Sequence, residues 1–353
     1  MKLIDTKTLR KANEEAILNL YLYLSHKTSP LQHQTLKEIV FILEADLKKR
    51  PKAWNKRDIY RFNILKNSIL NNITLSNSKI IKLTHSKNGL TFCSFIKPNG
   101  EISIAFKGTG SGEWIDNGEG LSGIPEENTY INYQDDGQTL YRKTVLKDYA
   151  SDQQVEALNK FNELVTKYKW NEQNTIILSG HSKGANKAQF ITIHSDLVDE
   201  CYSFGGQGFS PEAIKQFKKK FGTSFDKRRK KIKSISTDND YVNVLGNRLM
   251  PQDNICFLKA YGGIHNIEAM LDKNGVFNPL SEQGRLSLYV ESISKQLMKM
   301  PPAVRQYATL GVMNIFQKYL GKGVPVNNDT VSFKKTIAGI SIATASLLYQ
   351  LTK

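Results

Sequence analysis

Only three cysteines occur in 353 residues, and none stands in a C-x-x-C or similar metal-binding spacing. Cys93, Cys201 and Cys256 are scattered through apolar, strand-like contexts. That spread excludes a disulfide framework and gives a zinc site no support, so three buried free thiols and no metal are expected. Acidic residues are also in short supply, 33 against 49 lysines and arginines, for a formal net charge of +16. Such an excess favours anionic partners without choosing among them. No zinc finger, RRM signature or aromatic-interleaved basic motif is present, so nucleic acid is not an expected partner.

An apolar signal core is missing too. Asp5, Arg10, Lys11, Glu14 and Glu15 interrupt the first residues, and no cleavable signal peptide is expected. The one long uncharged stretch, 336–352, falls short of the roughly 20 apolar residues that span a bilayer. No cysteine lies near either end of the sequence to carry a lipid.

What remains is an ordinary folding composition, 40% hydrophobic and 23% charged, in three regions without internal repeats. Residues 1–80 form an N-terminal helical region, with apolar spacings of three and four over 8–24, 31–49 and 56–71. Residues 81–280 alternate strands and helices, which implies a largely parallel sheet covered on both faces. Strands are expected over 90–96 and 101–106, joined by a Pro98-Asn99-Gly100 turn, and over 175–178, 201–204 and 232–235. Helices are expected over 151–168, with Ser151 as N-cap, and over 183–194. Residues 281–353 are helical again, over 286–300 and 304–320 on either side of Pro301-Pro302. An apolar last helix over 337–351 carries small residues at Gly339, Ala343, Ser341 and Ala345, a spacing suited to close helix–helix approach.

The chemistry is concentrated at Gly180-His181-Ser182-Lys183-Gly184, a G-x-S-x-G with an apolar strand before it and a helix after it. A serine on such a turn needs strained backbone angles to push its hydroxyl out over the sheet. Side chains at Gly180 and Gly184 would collide across the turn. The amide of Lys183, at the start of a helix, is placed to meet an oxyanion. A serine also needs a base, and the chain order of this motif is serine, acid, histidine. Two histidines follow Ser182. His194 lies twelve residues on along one helix, roughly 18 Å away at about 1.5 Å per residue, which leaves His265 in its Gly262-Gly263 loop. The acid should follow a strand, and both Asp238 and Asp240 do.

Several motifs over roughly 85–280 together resemble the class 3 lipase branch of the α/β-hydrolases, particularly its bacterial uncharacterised-domain relatives. Ile104-Ala105-Phe106-Lys107-Gly108-Thr109, with Trp114 and Asp116 beyond, is similar to the family's F-R-G-T/S strand end. Gln153 to Leu158 resembles its Q-x-x-A-L helix, Tyr202-Ser203-Phe204-Gly205 its Y-T-F-G strand, and Asp240-Tyr241-Val242 its D-x-V. The resemblance implies an α/β-hydrolase fold, a mostly parallel sheet flanked by helices, with N- and C-terminal helical regions added. It implies a Ser182, Asp240 and His265 triad, an oxyanion hole of Thr109 and Lys183, and no cofactor. Lys107 replaces the usual arginine, Lys183 a residue often small or apolar, and the interval from Asp240 to His265 is short.

The activity so implied is carboxylic-ester hydrolysis on lipids, of lipase or phospholipase A type, at a membrane surface. A small-ester esterase and an inactive basic membrane- or partner-binding protein are the alternatives. The polar stretch 110–137 is a candidate lid. Residues 215–233, with ten basic side chains against one acid, are a candidate for attracting anionic headgroups. A lipase domain with helical flanks and no cleavable signal also resembles in arrangement the type VII-secreted lipase toxins of Gram-positive bacteria. Small helical partner proteins, and either export by such a route or a cytoplasmic location peripheral to membranes, follow as expectations.

Overall fold

A computed structural model describes residues 4–86, 89–108, 114–122, 128–132, 139–143, 149–300, 305, 308 and 309. Four helices open the chain: α1 (Thr6–Leu22), α2 (Leu36–Lys49), α3 (Lys56–Leu70) and α4 (Ile73–Asn77). Side chains of Asp5, Thr35 and Asn55 cap the first three, Thr35 in a reciprocal box with Glu38. Strands β1 (Lys79–His85), β2 (Thr91–Ile96) and β3 (Ile102–Phe106) follow, then α5 (Trp114–Ser122) and the short β4 (Asn128–Asn132) and β5 (Thr139–Lys143). The regular alternation comes next: α6 (Asp152–Tyr168), β6 (Ile176–His181), α7 (Lys183–His194), β7 (Val198–Phe204), α8 (Pro211–Phe221), α9 (Ser224–Arg229) and β8 (Ile232–Thr237). β9 (Ile255–Leu258), β10 (Leu280–Ser281) and α10 (Arg285–Lys299) complete the order.

Eight strands form one sheet in the order β1-β2-β3-β6-β7-β8-β9-β10, while β4 and β5 pair with each other. The run from β3 to β9 is parallel, and both edges are antiparallel. Alternation along each strand sorts the side chains. Ile102, Ile104 and Phe106 of β3 join Ile176 and Leu178 of β6 under α6, α7 and α8. Ala105, Ile177, Tyr202 and Phe204 face the other way, against α1, α2 and α3. The fold is a mostly parallel eight-stranded sheet flanked by helices, as the resemblance implied, and the N-terminal helices supply most of one face of it, beside Ile267, Met270 and Leu271.

The expected strands and helices of 81–300 are present, Ser151 caps α6, and the three cysteines are buried and free. The antiparallel β1, the parallel β9 and the two-residue β10 were not expected from the sequence. Lid stretch 110–137 is described only in part, and the helices expected over 304–320 and 337–351 lie outside the described residues except at 305, 308 and 309. Among the described residues no helix is long and apolar enough to cross a membrane, and no cluster suited to a metal ion occurs.

The basic stretch 215–233 sits at the wrong end of the sheet for the role suggested above. Lys231 donates to the Val198 carbonyl where β7 begins, Arg228 bonds the Ile193 carbonyl and Asp196 at the end of α7, and Lys233 pairs with Glu200. These are the amino ends of the strands. Ser182 lies past the carboxyl end of β6, a strand of six residues, or about 20 Å at ~3.3 Å per residue.

A buried ion cluster fixes α1 to the sheet. The fully buried Glu15 accepts from Ser103 Oγ at 2.6 Å and Ser179 Oγ at 2.8 Å, and meets Lys97 Nζ at 3.0 Å. Glu14 approaches the same ammonium at 3.3 Å. Burial opposes the Lys97 charge, but the Glu15 and Glu14 carboxylates outweigh it and raise its pKa above the ordinary lysine value. Removing one partner of such a cluster strands the other. Glu15→Ala should therefore cost about 3–5 kcal/mol of stability, read by urea or thermal unfolding, with Glu15→Gln milder because it keeps hydrogen-bonding capacity.

Candidate active site

Ser182 occupies the single residue between β6 and α7, at φ 57° and ψ −127°. A non-glycine residue there is strained, and two glycines make the turn possible. A Cβ on Gly180 would stand 2.3 Å from the Gly184 carbonyl carbon and oxygen. One on Gly184 would stand 2.1 Å from the Phe106 carbonyl oxygen. The elbow is thus pressed against its own first helical turn and against the end of β3.

Asp240 closes a turn after β8, its amide donating to the Thr237 carbonyl at 3.2 Å. It is fully buried, and its Oδ1 accepts from the amides of Val242 at 2.7 Å and Asn243 at 3.3 Å. His265 hangs from the loop after β9, where Gly262 has φ 76°. Its Nδ1 lies 3.1 Å from both Asp240 oxygens and its Nε2 2.9 Å from Ser182 Oγ. A carboxylate can only accept, so Nδ1 carries the proton and Nε2 is left as acceptor for the serine hydroxyl. Three side chains far apart in sequence meet at the carboxyl edge of the sheet.

The other sequence candidates separate. Asp238 turns away, accepting from the Asn239 amide at 2.8 Å and facing Ser281 Oγ at 3.5 Å. His194 stands at the far end of α7, bonded to the Phe190 carbonyl. The amide of Lys183 begins α7, where helix N–H groups lack intrahelical acceptors. Its side chain is fully buried, with Nζ 3.3 Å from the Ser151 hydroxyl at the cap of α6. Thr109 lies outside the described residues, but its neighbour Gly108 is packed at the elbow: a Cβ there would stand 3.1 Å from Ser182 Cβ.

Four residues of the site carry no sequence signal for their roles. Gly205, at φ 55°, passes under the carboxylate, and a Cβ on it would lie 2.5 Å from Asp240 Oδ2 and 3.3 Å from His265 Nδ1. The Thr237 hydroxyl donates to the Ile264 carbonyl, tying the histidine loop to β8. His181, the variable residue of the motif, sits 5.1 Å ring to ring from His265, with its Nε2 2.7 Å from the His265 carbonyl oxygen. Its Nδ1 is 2.6 Å from the hydroxyl of Tyr23, just past α1. Burial, and secondarily the neighbouring His265, hold the His181 pKa well below the ordinary imidazole value.

A family described as Mbeg1-like matches residues 126–242, a third of the chain that includes Ser182 and Asp240 and stops short of His265. No curated protein matches. Among solved structures the chain is similar to the Rhizomucor miehei lipase propeptide complex, at 12% identity and a TM-score of 0.34, covering 69% of this chain and 64% of that one. The chain therefore spans less than two thirds of that protein's length. It is also similar to the Rhizomucor miehei triacylglyceride lipase, at 12% identity and a TM-score of 0.36, covering 73% and 80%. A further similar structure is the Lip2 lipase of Yarrowia lipolytica, at 13% identity and a TM-score of 0.41, covering 88% and 95%.

Gly205→Ala should force Asp240 off His265. The expected outcome is loss of the low-field proton resonance of a hydrogen-bonded Nδ1–H, with a stability cost of about 1 kcal/mol or more from the positive φ. Proton NMR and thermal unfolding check the two parts.

Proposed function

We propose that this protein is a serine carboxylic-ester hydrolase that cleaves acyl esters of lipids, as a lipase or phospholipase A. The observation that carries the reading is the unbroken chain of hydrogen bonds Ser182–His265–Asp240 on a strained elbow. In the proposed reaction Ser182 Oγ attacks the ester carbonyl carbon as its proton passes to His265 Nε2. Asp240 holds the ring in the required tautomer and stabilises the imidazolium. The amide of Lys183 and Thr109 receive the oxyanion. The alcohol leaves with the proton from His265, and water, deprotonated in turn by the same nitrogen, releases the fatty acid and restores Ser182.

A lipid rather than a small soluble ester is favoured by the rim. Tyr241, whose ring centre lies 5.6 Å from that of His265, is exposed together with Tyr261 and Ile264 of the histidine loop. Apolar side chains grouped at a site mouth suit an acyl surface better than water. The basic stretch gives no support for one headgroup over another, because it faces away. The small helical partners form part of the same proposal. α1 is committed to the core, and the exposed Phe41 and Ile42 on α2, Tyr60 and Leu70 on α3 and Ile73 on α4 are apolar surface open to such partners.

A fluorophosphonate should label the full chain at Ser182 and nowhere else, and Ser182→Ala should abolish both labelling and ester cleavage while melting like the parent. Asp240→Asn should lower kcat by about 10⁴-fold. Absence of labelling on folded protein would reduce the site to a relic. Comparing p-nitrophenyl butyrate with phosphatidylcholine and triglyceride emulsions, with products read by mass spectrometry, separates lipase, phospholipase and small-ester esterase.

A further inference from the structure

We propose that Tyr23 and His181 form a positioning pair through which the N-terminal helical layer sets the catalytic histidine, the Tyr23 hydroxyl holding the His181 ring through its Nδ1 and His181 in turn holding the His265 backbone. The inference rests on the reading of Ser182 and His265 as nucleophile and base, and it extends the machinery beyond the α/β core.

The hydrogen-bond directions are forced by chemistry. The His265 carbonyl can only accept, so His181 Nε2 must carry its proton. His181 Nδ1 is then an acceptor, and the Tyr23 hydroxyl must donate to it. The oxygen of Tyr23 has a second neighbour in Gly108, just past β3, where a Cβ would stand 2.6 Å from it. One phenol oxygen thus touches both walls of the site, the oxyanion strand through Gly108 and the histidine loop through His181. Its ring packs edge-on against the His181 ring and is covered by the guanidinium of Arg61 at 4.5 Å. Arg61 and Arg57 of α3 also pair with Glu268, three residues beyond His265. The base is therefore held from the N-terminal layer on two sides, by a neutral hydrogen-bond chain and by ion pairs.

His265 must meet Ser182 and Asp240 at once, and the Gly262-Gly263 loop that carries it has little intrinsic stiffness. A backbone anchor within the same residue removes that freedom. Loss of the anchor should lower turnover while leaving acyl binding alone, since neither Tyr23 nor His181 touches the substrate in this arrangement.

The test uses the full chain and p-nitrophenyl butyrate, with active sites counted by fluorophosphonate. Tyr23→Phe should lower kcat about three- to tenfold with KM within about twofold, the worth of one hydrogen bond. His181→Ala should lower it further, His181→Gln should recover most of the loss because its amide can still donate to the His265 carbonyl, and the double variant Tyr23→Phe/His181→Ala should be no worse than His181→Ala. An unchanged kcat in Tyr23→Phe, or strictly multiplicative losses in the double variant, overturns the pair. A readout independent of turnover is nitrogen-15 NMR of histidine-labelled Ser182→Ala protein. The His181 ring should show the Nε2–H form with a hydrogen-bonded Nδ1, and adding Tyr23→Phe should shift the Nδ1 resonance toward that of an acceptor without a donor while Nε2 keeps its proton. If Ser182 does not label but the Nδ1 resonance responds to Tyr23, the enzymatic reading fails while the clamp stands. If Ser182 labels and the Nδ1 resonance ignores Tyr23, only the clamp fails.

Discussion

The contact on which the site depends is between backbones: the first turn of α7 lies against the end of β3 with only a glycine hydrogen between them. The carbonyls of Phe106 and Lys107 occupy the space a Cβ at Gly184 would need. This approach fixes where the elbow stands relative to the strand that delivers Gly108. It also leaves Ser182 no room to relax out of its positive φ. Strain of order 1–3 kcal/mol persists at one residue only where the surroundings over-determine it. Here sheet pairing on one side and the close glycine contacts on the other do so.

The N-terminal helices are part of the site for the same reason. Glu15, Ser103, Ser179 and Lys97 lock the middle of α1 beneath β3 and β6. Two turns later the chain reaches Tyr23, whose hydroxyl packs against Gly108 and bonds His181. A buried ionic cluster contributes little net stability against a well-packed apolar alternative, but it penalises every register in which its members part. A helix sliding along an apolar sheet face would lose only a few contacts. A helix carrying Glu15 cannot slide without stranding Lys97.

What was legible in the sequence was local. The elbow could be read because its strand, glycines and helix lie within eleven residues, and His265 because only two histidines follow Ser182. Asp240 could not be told from Asp238 by position, since both follow one strand in one turn. Their difference is the direction of a side chain, set by the amides of Val242 and Asn243. The pattern over 8–24 announced a helix but not its layer. Its buried acids find partners some 80 and 160 residues away, and such pairings leave no trace in a single chain. β9 and β10 were missed because four residues and two residues are too short to show a period. The basic stretch misled because charge density says nothing of which end of a sheet a helix turns toward.

Two imidazoles side by side at the site raise an electrostatic question of their own. In the proposed cycle His265 becomes an imidazolium in each half-reaction. A second positive ring about 5 Å away would oppose it by roughly 3 kcal/mol at an effective dielectric near 20. His181 avoids this by burial, which disfavours its charged form, and by a hydrogen-bond pattern that uses both of its nitrogens in the neutral state. The His265 carbonyl that receives its proton belongs to the residue that will carry the transient charge. A neutral donor at that carbonyl fixes the loop without adding a competing cation. A lysine or arginine in the same place would hold the backbone equally well and would work against the base it positions.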